Sequence, residues 1–220
     1  VLWLLRTYVF LHRWRAGEIP EVDRRIEAMA DHIARLEREH PVEETLIVGH
    51  SVGTILGVWV AARVMEKLKK TPGHSGIEAG EEQASFAAQI QGLHLLTLGQ
   101  CLPLLVAMPN ADEVKEELQN VYAQKDLHWT DVSALADPLC FFRTNPGHPF
   151  GLDCAVGVQP RLRAVRFFKM FLFQNYRRIR WNKVRLHFQY IMAADIATGY
   201  DYFACTAGDQ RLEDSMGAME

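Results

Sequence analysis

The 220-residue chain contains little cysteine, no long uninterrupted hydrophobic run and no strong excess of one charge. The four cysteines lack C-x-x-C spacing, which argues against a zinc site and against a dense disulfide framework; they are Cys101, Cys140, Cys154 and Cys205. Such sparse cysteine usage is typical of free thiols in a reducing compartment, so we expect a cytoplasmic location. The formal net charge of -3 is not that of a nucleic-acid binder. We therefore expect no nucleic-acid partner and no metal.

The apolar run in residues 1–20 predicts neither a transmembrane span nor a signal peptide. The run "VLWLLRTYVFLHRWRAG" is interrupted by Arg6, is too short to cross a bilayer and has no small-residue cleavage site. It is typical of a buried or interfacial helix. No methionine begins the chain, so we expect an internal piece of a longer protein. We assign residues 1–20 to an N-terminal apolar segment, 21–210 to one domain and 211–220 to a frayed polar tail.

The hydrophobic pattern predicts alternating helices and strands. Hydrophobic residues make up 49% of the chain, enough for one substantial core. From Glu21 to Glu39 apolar residues recur at helical spacing, and the His40-Pro41 pair ends that helix. The run "ETLIVGH" then predicts a buried parallel strand, and "TILGVWVAARVMEKLKK" predicts a largely buried helix.

The same alternation continues to the end of the chain. The runs "LHLLTLG" and "LHWTDVSA" predict strands, with a helix over "ADEVKEELQNVY" between them. The segment "RAVRFFKMF" is compatible with a strand or an amphipathic helix, and "YDYFACTAG" is a last strand candidate. Thr71 to Ser85 and the Pro- and Gly-rich "LADPLCFFRTNPGHPFG" are predicted loops. Together these elements predict an α/β fold with a mostly parallel sheet flanked by helices.

A G-x-S-x-G pentapeptide, Gly49 to Gly53, lies between the first predicted strand and its helix. A nucleophilic serine needs exposure, a base and donors for the oxyanion. A sharp turn here, its two glycines avoiding clashes, would expose Ser51 and aim the Val52 N–H at developing negative charge. The alternative for Ser51 is a small residue at a helix N-cap. A second "GHS", Gly73 to Ser75, lacks this spacing, and we attribute it to loop composition.

The segment "LIVGHSVG" resembles the nucleophile elbow of the α/β-hydrolase fold, whose members carry Ser, then Asp or Glu, then His along the chain. The resemblance covers most of the chain after about Glu21, but only the elbow is a specific motif. It implies an α/β-hydrolase-like fold. The family's second oxyanion donor comes from a loop upstream of the elbow, yet residues 1–44 contain no HG-type segment. Either the chain is an N-terminally truncated domain without its first strands, which we expect because no methionine begins it, or this branch has replaced those strands.

The resemblance also implies an acid after a later strand and a base behind the last strand. Asp137 in "LADPLC" is the favoured acid and Asp131 in "HWTDV" the alternative; either is otherwise a turn-forming aspartate. Among nine histidines, His187 fits the base if "RAVRFFKMF" is the last strand, and His148 is the alternative. The non-catalytic interpretation of His187 is a partly buried histidine bonded to the backbone.

These assignments imply a serine esterase or lipase-like activity on a small-molecule or lipid ester. A carboxylic ester or thioester would be cleaved through an acyl-enzyme, without a cofactor. Transfer of the acyl group to an acceptor other than water is a variant of the same chemistry.

A basic stretch rich in aromatic residues suits a different role. No Asp or Glu occurs between Cys154 and Ala194, whereas arginine, lysine and aromatic residues alternate there. This pattern favours peripheral contact with an anionic membrane. The simpler interpretation is a core strand plus a solvated basic segment that pairs with the acidic helix at 112–117. The alternative function is therefore a non-catalytic α/β-hydrolase-like domain that binds a partner or an anionic membrane through this stretch.

Overall fold

The computed structural model of the chain describes residues 2–69, 92–152 and 160–216. The helices and strands of this part are, in order, α1 (Leu2–Arg15), α2 (Pro20–Glu39), β1 (Thr45–His50), α3 (Gly53–Lys69), β2 (Leu93–Leu98), α4 (Ala111–Tyr122), β3 (His128–Ser133), β4 (Arg161–Ala164), α5 (Phe173–Ile179), α6 (Lys183–His187), α7 (Tyr202–Ala207) and α8 (Leu212–Ser215). Short 3-10 helices span Leu102–Ala107, His148–Phe150, Phe167–Lys169 and Phe188–Ile191.

The strands form one sheet in the order β1-β2-β3-β4, and each neighbouring pair is parallel. The predicted α/β class and the predicted parallel sheet are thus confirmed. The register aligns Gly49 with Thr97 and Thr97 with Asp131. Because the carboxyl ends of parallel strands lie at one edge, the segments that follow the strands meet there.

Two apolar clusters cover the two faces of the sheet. Leu95 of β2 and Trp129 of β3 belong to the first cluster, together with side chains of α1 to α4. Leu96 of β2 and Val132 of β3 belong to the second, together with α7, α8 and residues after β4. This division follows from the strand repeat, which turns successive side chains to opposite faces.

The edge position of β1 changes its burial. Within the described sheet β1 pairs with β2 alone, and Gly49 is the one fully buried residue of the strand. The segment is a parallel strand as predicted, but most of its residues are only partly buried. A cavity of about 610 Å³ lies beside β1, lined by apolar side chains of α2 and α3 that include Ile26, Ile33 and Val60.

Two strand candidates near the end of the chain require correction. Of "RAVRFFKMF", only Arg163 and Ala164 belong to β4, and the chain then turns into a 3-10 helix that buries Phe167. The strand expected in "YDYFACTAG" is wrong, since this segment forms α7. The reason is Asp201, whose carboxylate accepts hydrogen bonds from the N–H groups of Phe203 and Ala204 and so caps a helix.

Both ends of the described chain pack onto the sheet. Leu11 and Trp14 of α1 belong to the first cluster, whereas Leu212 and Met216 are buried in the second. The expectation of a frayed tail is therefore wrong for residues 211–216, which include α8 and bury Leu212 and Met216. The cysteines of the described part, Cys101, Cys140 and Cys205, are free thiols.

Several expectations fall on other parts of the chain. The predicted loop from Thr71 to Ser85, the second "GHS" and Cys154 lie outside the described residues. Among the helices that are described, none is long and apolar enough to cross a membrane.

Candidate active site

Ser51 lies in a strained turn between β1 and α3. Its φ of 57° is in the left-handed region, which residues with a Cβ seldom occupy. The Ser51 N–H donates to the carbonyl of Leu98 at 3.0 Å, and the Ser51 carbonyl accepts from Thr54 Oγ1 at 2.6 Å. These bonds hold the turn in place and leave Ser51 partly exposed at the carboxyl end of β1.

The two glycines of the pentapeptide differ in what the turn requires of them. A Cβ on Gly49 would lie 2.4 Å from the carbonyl oxygen of Gly53, which is an impossible contact. A Cβ on Gly53 would meet nothing within 4 Å. The close approach therefore requires glycine at position 49, and the expectation that both glycines avoid clashes is wrong for Gly53.

Ser51, His187 and Asp137 form a chain of hydrogen bonds. His187 Nε2 lies 2.8 Å from Ser51 Oγ, and His187 Nδ1 lies 2.9 Å from Asp137 Oδ2. An ionised carboxylate only accepts, so the imidazole proton belongs on Nδ1, and Nε2 then accepts from the Ser51 hydroxyl. The His187 ring and the Asp137 carboxylate are both buried, which excludes water from the hydrogen bond between them. The fold thus brings together three side chains that are widely separated in sequence.

The Asp137 carboxylate is held by its own loop and lies close to Gly99, just after β2. Its second oxygen, Oδ1, accepts from the N–H of Leu139 at 2.9 Å. Gly99 follows β2 with a φ of 56°, and a Cβ there would lie 2.7 Å from the Tyr190 ring and 3.3 Å from Asp137 Oδ2. Glycine at this position therefore leaves room for both the carboxylate and the tyrosine. The hydroxyl of Tyr190 in turn accepts from the N–H of Ala134, at the end of β3.

His187 is the last residue of α6, a helix of little more than one turn. The assignment of His187 depends on "RAVRFFKMF" being the last strand. Only Arg163 and Ala164 of that run lie in β4, α5 follows, and His187 lies in a helix instead of a loop. Asn182 caps the start of this helix: its side-chain oxygen accepts from the N–H of Arg185 at 2.9 Å. The preceding Leu186 is buried in the second cluster and anchors the helix on the sheet.

His50, the residue before Ser51, contacts the backbone of His187. His50 Nε2 lies 2.8 Å from the backbone carbonyl of His187. Burial, the largest effect, lowers the pKa of His50, so its ring is neutral at physiological pH. A carbonyl accepts only, so the neutral ring carries its proton on Nε2 and donates it. The variable position of the pentapeptide therefore ties the elbow to the backbone of the histidine that faces Ser51.

The two alternative site residues lie in other surroundings. Asp131 is fully buried on β3, where its Oδ1 accepts from Thr97 Oγ1 at 2.7 Å. Burial raises the pKa of Asp131 to about 7. His148 is exposed in the 3-10 helix His148–Phe150. The carboxylate on the imidazole is that of Asp137, and the ring on the serine is that of His187.

Aromatic residues surround the imidazole. The Trp3 ring of α1 meets the His187 ring edge-on, with 6.2 Å between centroids, and Phe188 lies 5.2 Å from the His50 ring. No pattern in the sequence singles out Trp3, because its place beside His187 depends on how α1 packs.

Val52 lies between Ser51 and Gly53, the first residue of α3. The N–H groups at a helix start lack intrahelical acceptors, and the Val52 N–H is a donor of this kind.

Within residues 2–69, 92–152 and 160–216, no group of three or more His, Cys, Asp or Glu side chains is arranged to hold a metal ion. Comparison with known proteins gave no match: no family model, no curated protein and no solved structure corresponds to this chain. The function must therefore be argued from the geometry around Ser51.

Proposed function

We propose that the protein is a serine hydrolase that cleaves a carboxylic ester or thioester through an acyl-enzyme. The observation that carries this proposal is the continuous hydrogen-bond chain from Ser51 Oγ through His187 to Asp137, with distances of 2.8 and 2.9 Å. Nucleophile, base and orienting acid at hydrogen-bond distance are what activation of a serine hydroxyl requires.

In the acylation step, Ser51 Oγ attacks the carbonyl carbon of the ester while its proton passes to His187 Nε2. Asp137 keeps the imidazole in the required tautomer and stabilises the imidazolium that forms. The oxyanion accepts a hydrogen bond from the Val52 N–H at the start of α3. Collapse of the intermediate breaks the bond to the alcohol or thiol, which leaves with the proton from His187.

In the deacylation step, water attacks the acyl-enzyme while His187 takes one of its protons. The carboxylic acid leaves, the proton returns to Ser51 Oγ, and the free enzyme is restored. An alcohol or amine in place of water would give acyl transfer by the same steps. Each of these steps uses only groups of the protein and water, so the proposal includes no cofactor.

The backbone around Ser51 supports the same proposal. A non-glycine residue with a φ of 57° is strained, and such strain is concentrated at functional sites. The turn follows β1 and precedes α3, Asp137 follows β3, and His187 comes last along the chain. This order is that of α/β-hydrolases, and we propose that the parallel sheet described here is a sheet of that type.

A fluorophosphonate probe tests the proposal directly. We expect the probe to form a covalent adduct at Ser51, located by mass spectrometry of peptides, and Ser51→Ala to abolish it. Ser215→Ala is the matched control and should leave labelling unchanged. Asp137→Asn should slow labelling by about a hundredfold or more, whereas Asp131→Asn should not. A folded wild-type chain that the probe leaves unmodified would contradict the proposal.

A further inference from the structure

Large apolar side chains are exposed along the segment that leads to His187. Phe173 and Trp181 are each 73% exposed. Aliphatic side chains accompany them, and the full set is Phe168, Leu172, Phe173, Trp181 and Val184. Helix α5, in the middle of this segment, buries none of its residues. Such a concentration of exposed apolar side chains marks a site of interaction.

Exposed cations lie among these apolar side chains. They are Lys169, Arg177, Arg178, Arg180 and Lys183. The guanidinium of Arg180 lies 5.0 Å from the centre of the Trp181 ring, and the ammonium of Lys183 lies 5.8 Å from the same ring centre. These five cations and the five apolar side chains form what we call the basic aromatic surface.

The cations of the basic aromatic surface are not neutralised by carboxylates of the described chain. Within its described part, no carboxylate oxygen lies within 4 Å of the charged groups of these five residues. Helix α4 was the expected partner, but its Glu113 pairs with Arg15 and its Glu117 with Arg63. The nearby Asp195 accepts from the Leu172 N–H and the Asn175 side chain.

The basic aromatic surface lies beside residues that are close along the chain to Asp137 and His187. A cavity of about 510 Å³ is lined by Phe167, Phe168 and Ala136, and a second of about 300 Å³ by Ala136, Trp181 and Lys183. Ala136, which directly precedes Asp137 in the chain, lines both cavities. Helix α6 starts at Lys183 in the surface and ends at His187.

We propose that the basic aromatic surface docks on an anionic phospholipid bilayer. Its cations match the lipid charge. The Trp181 ring suits the membrane interface because it is apolar while its indole N–H can bond to water, and the exposed Phe173 ring adds apolar area. The exposed aliphatic residues Leu172 and Val184 favour lipid over nucleic acid, since they neither stack on bases nor bind phosphate. The docking proposal rests on this surface alone and does not depend on the function proposed for Ser51.

Co-sedimentation with vesicles tests the proposal. We expect the full chain to bind phosphatidylcholine–phosphatidylserine vesicles more tightly than vesicles of pure phosphatidylcholine, and added salt to weaken the binding. Each cation near an anionic surface contributes about fivefold in affinity, so the triple substitution Arg177→Gln, Arg180→Gln, Lys183→Gln should weaken binding by about a hundredfold. Trp181→Ala should weaken binding to both kinds of vesicle.

A matched variant distinguishes loss of cations from the basic aromatic surface from a change in the net charge of the protein. The triple substitution Arg24→Gln, Arg35→Gln, Lys125→Gln removes the same charge from exposed positions outside the basic aromatic surface, and it should retain most of the binding. Ser51→Ala should bind vesicles like the wild type, so failure of the hydrolase proposal and failure of this one are distinguishable. Equal binding to neutral and anionic vesicles, or equal loss in the two triple variants, would overturn the proposal. Binding of a single-stranded oligonucleotide, without binding to vesicles, would overturn it in favour of nucleic acid.

Discussion

At the scale of single residues, the turn at Ser51 combines backbone strain with close packing. The left-handed conformation of Ser51 costs about 1–2 kcal/mol that a glycine would not lose. The hydrogen bonds from Ser51 N–H to Leu98 and from Thr54 to the Ser51 carbonyl offset this cost. The turn is also tight, because Gly49 lies directly against the backbone of Gly53. The turn from Gly49 to Gly53 is therefore held by hydrogen bonds to Ser51 and by the close packing of Gly49 on Gly53.

This difference between the two glycines gives a first prediction. Gly49→Ala should lower the free energy of unfolding by about 1–3 kcal/mol, since its Cβ has no room beside the Gly53 carbonyl. Gly53→Ala should change it by less than about 0.5 kcal/mol or raise it, because that Cβ meets open space and the residue is helical. Urea unfolding followed by circular dichroism measures both. Equal losses in the two variants would show that the close approach at Gly49 is not the controlling contact.

The buried carboxyl group of Asp131 gives a prediction about pH. Burial raises its pKa in the folded protein from 3.8 to about 7, so folding favours the protonated form. The unfolded chain loses this proton at lower pH, and the free energy of unfolding should therefore fall as pH rises from 3.8 to about 7. Asp131→Asn removes the titration, while the amide oxygen can still accept from Thr97.

We expect Asp131→Asn to be more stable than the wild type above the folded pKa, by about 1 kcal/mol or more. The difference should shrink as pH falls through the window, since the wild type then regains its proton. Urea unfolding at a series of pH values measures it. Asp209→Asn, at an exposed carboxylate, is the control and should follow the wild type throughout. A constant difference across the pH range would refute the role assigned to titration.

At the scale of elements, the hydrophobic pattern of the sequence predicts the longer helices and strands, whereas tertiary packing determines the shorter ones. The β-branched run before Ser51 and the apolar run after it predict strand, turn and helix, and β1 and α3 have these forms. Helix α4 is also predicted with its observed limits, Ala111 to Tyr122. These elements have a clear hydrophobic period over many residues, so the local signal is sufficient.

The shorter elements behave differently. The end of β4 and the form of α7 depend on single contacts, such as the Asp201 cap, that a period does not reveal. The proximity of Asp137 and His187 to Ser51 depends on how β3 and α6 are placed in three dimensions, so only the order of residues along the chain points to it. The contacts of His187 with His50 and Trp3 join distant segments.

Helix α6 carries a prediction of its own. It has little more than one turn, so the bond from the Arg185 N–H to the Asn182 side chain is a large part of what orders its start. Asn182→Ala should lower the free energy of unfolding by about 1 kcal/mol and slow fluorophosphonate labelling of Ser51 several-fold, because His187 is then less well fixed. Asn182→Asp keeps an acceptor and should restore both values. Asn120→Ala, at an exposed position of α4, is the control; an equal effect there would contradict a capping role.

At the scale of the whole molecule, the two ends of the sheet carry different kinds of residues. The carboxyl ends of the strands carry Ser51 and the segments around it, whereas the amino ends are closed by charged and polar groups. There the rings of His94 and His128 stack at 4.6 Å, and Glu44 lies 3.3 Å from His94 Nδ1. Glu44 also accepts from the N–H of Leu212 at 3.1 Å, which ties α8 to the segment before β1. The last described helix therefore belongs to the folded unit.

The final prediction follows from this attachment. The Leu212 side chain is buried in the second apolar cluster, so Leu212→Ala should lower the free energy of unfolding by about 2–5 kcal/mol, the usual result of leaving a cavity in a core. Leu135→Ala makes the same chemical change at a side chain that is 78% exposed, and it should alter stability by less than about 0.5 kcal/mol. Thermal and urea unfolding of both variants provide the measurement. If residues 211–216 were only a loose tail, the two substitutions would have equally small effects; a large loss for Leu212 alone shows that the second face of the sheet is complete only when α8 is packed on it.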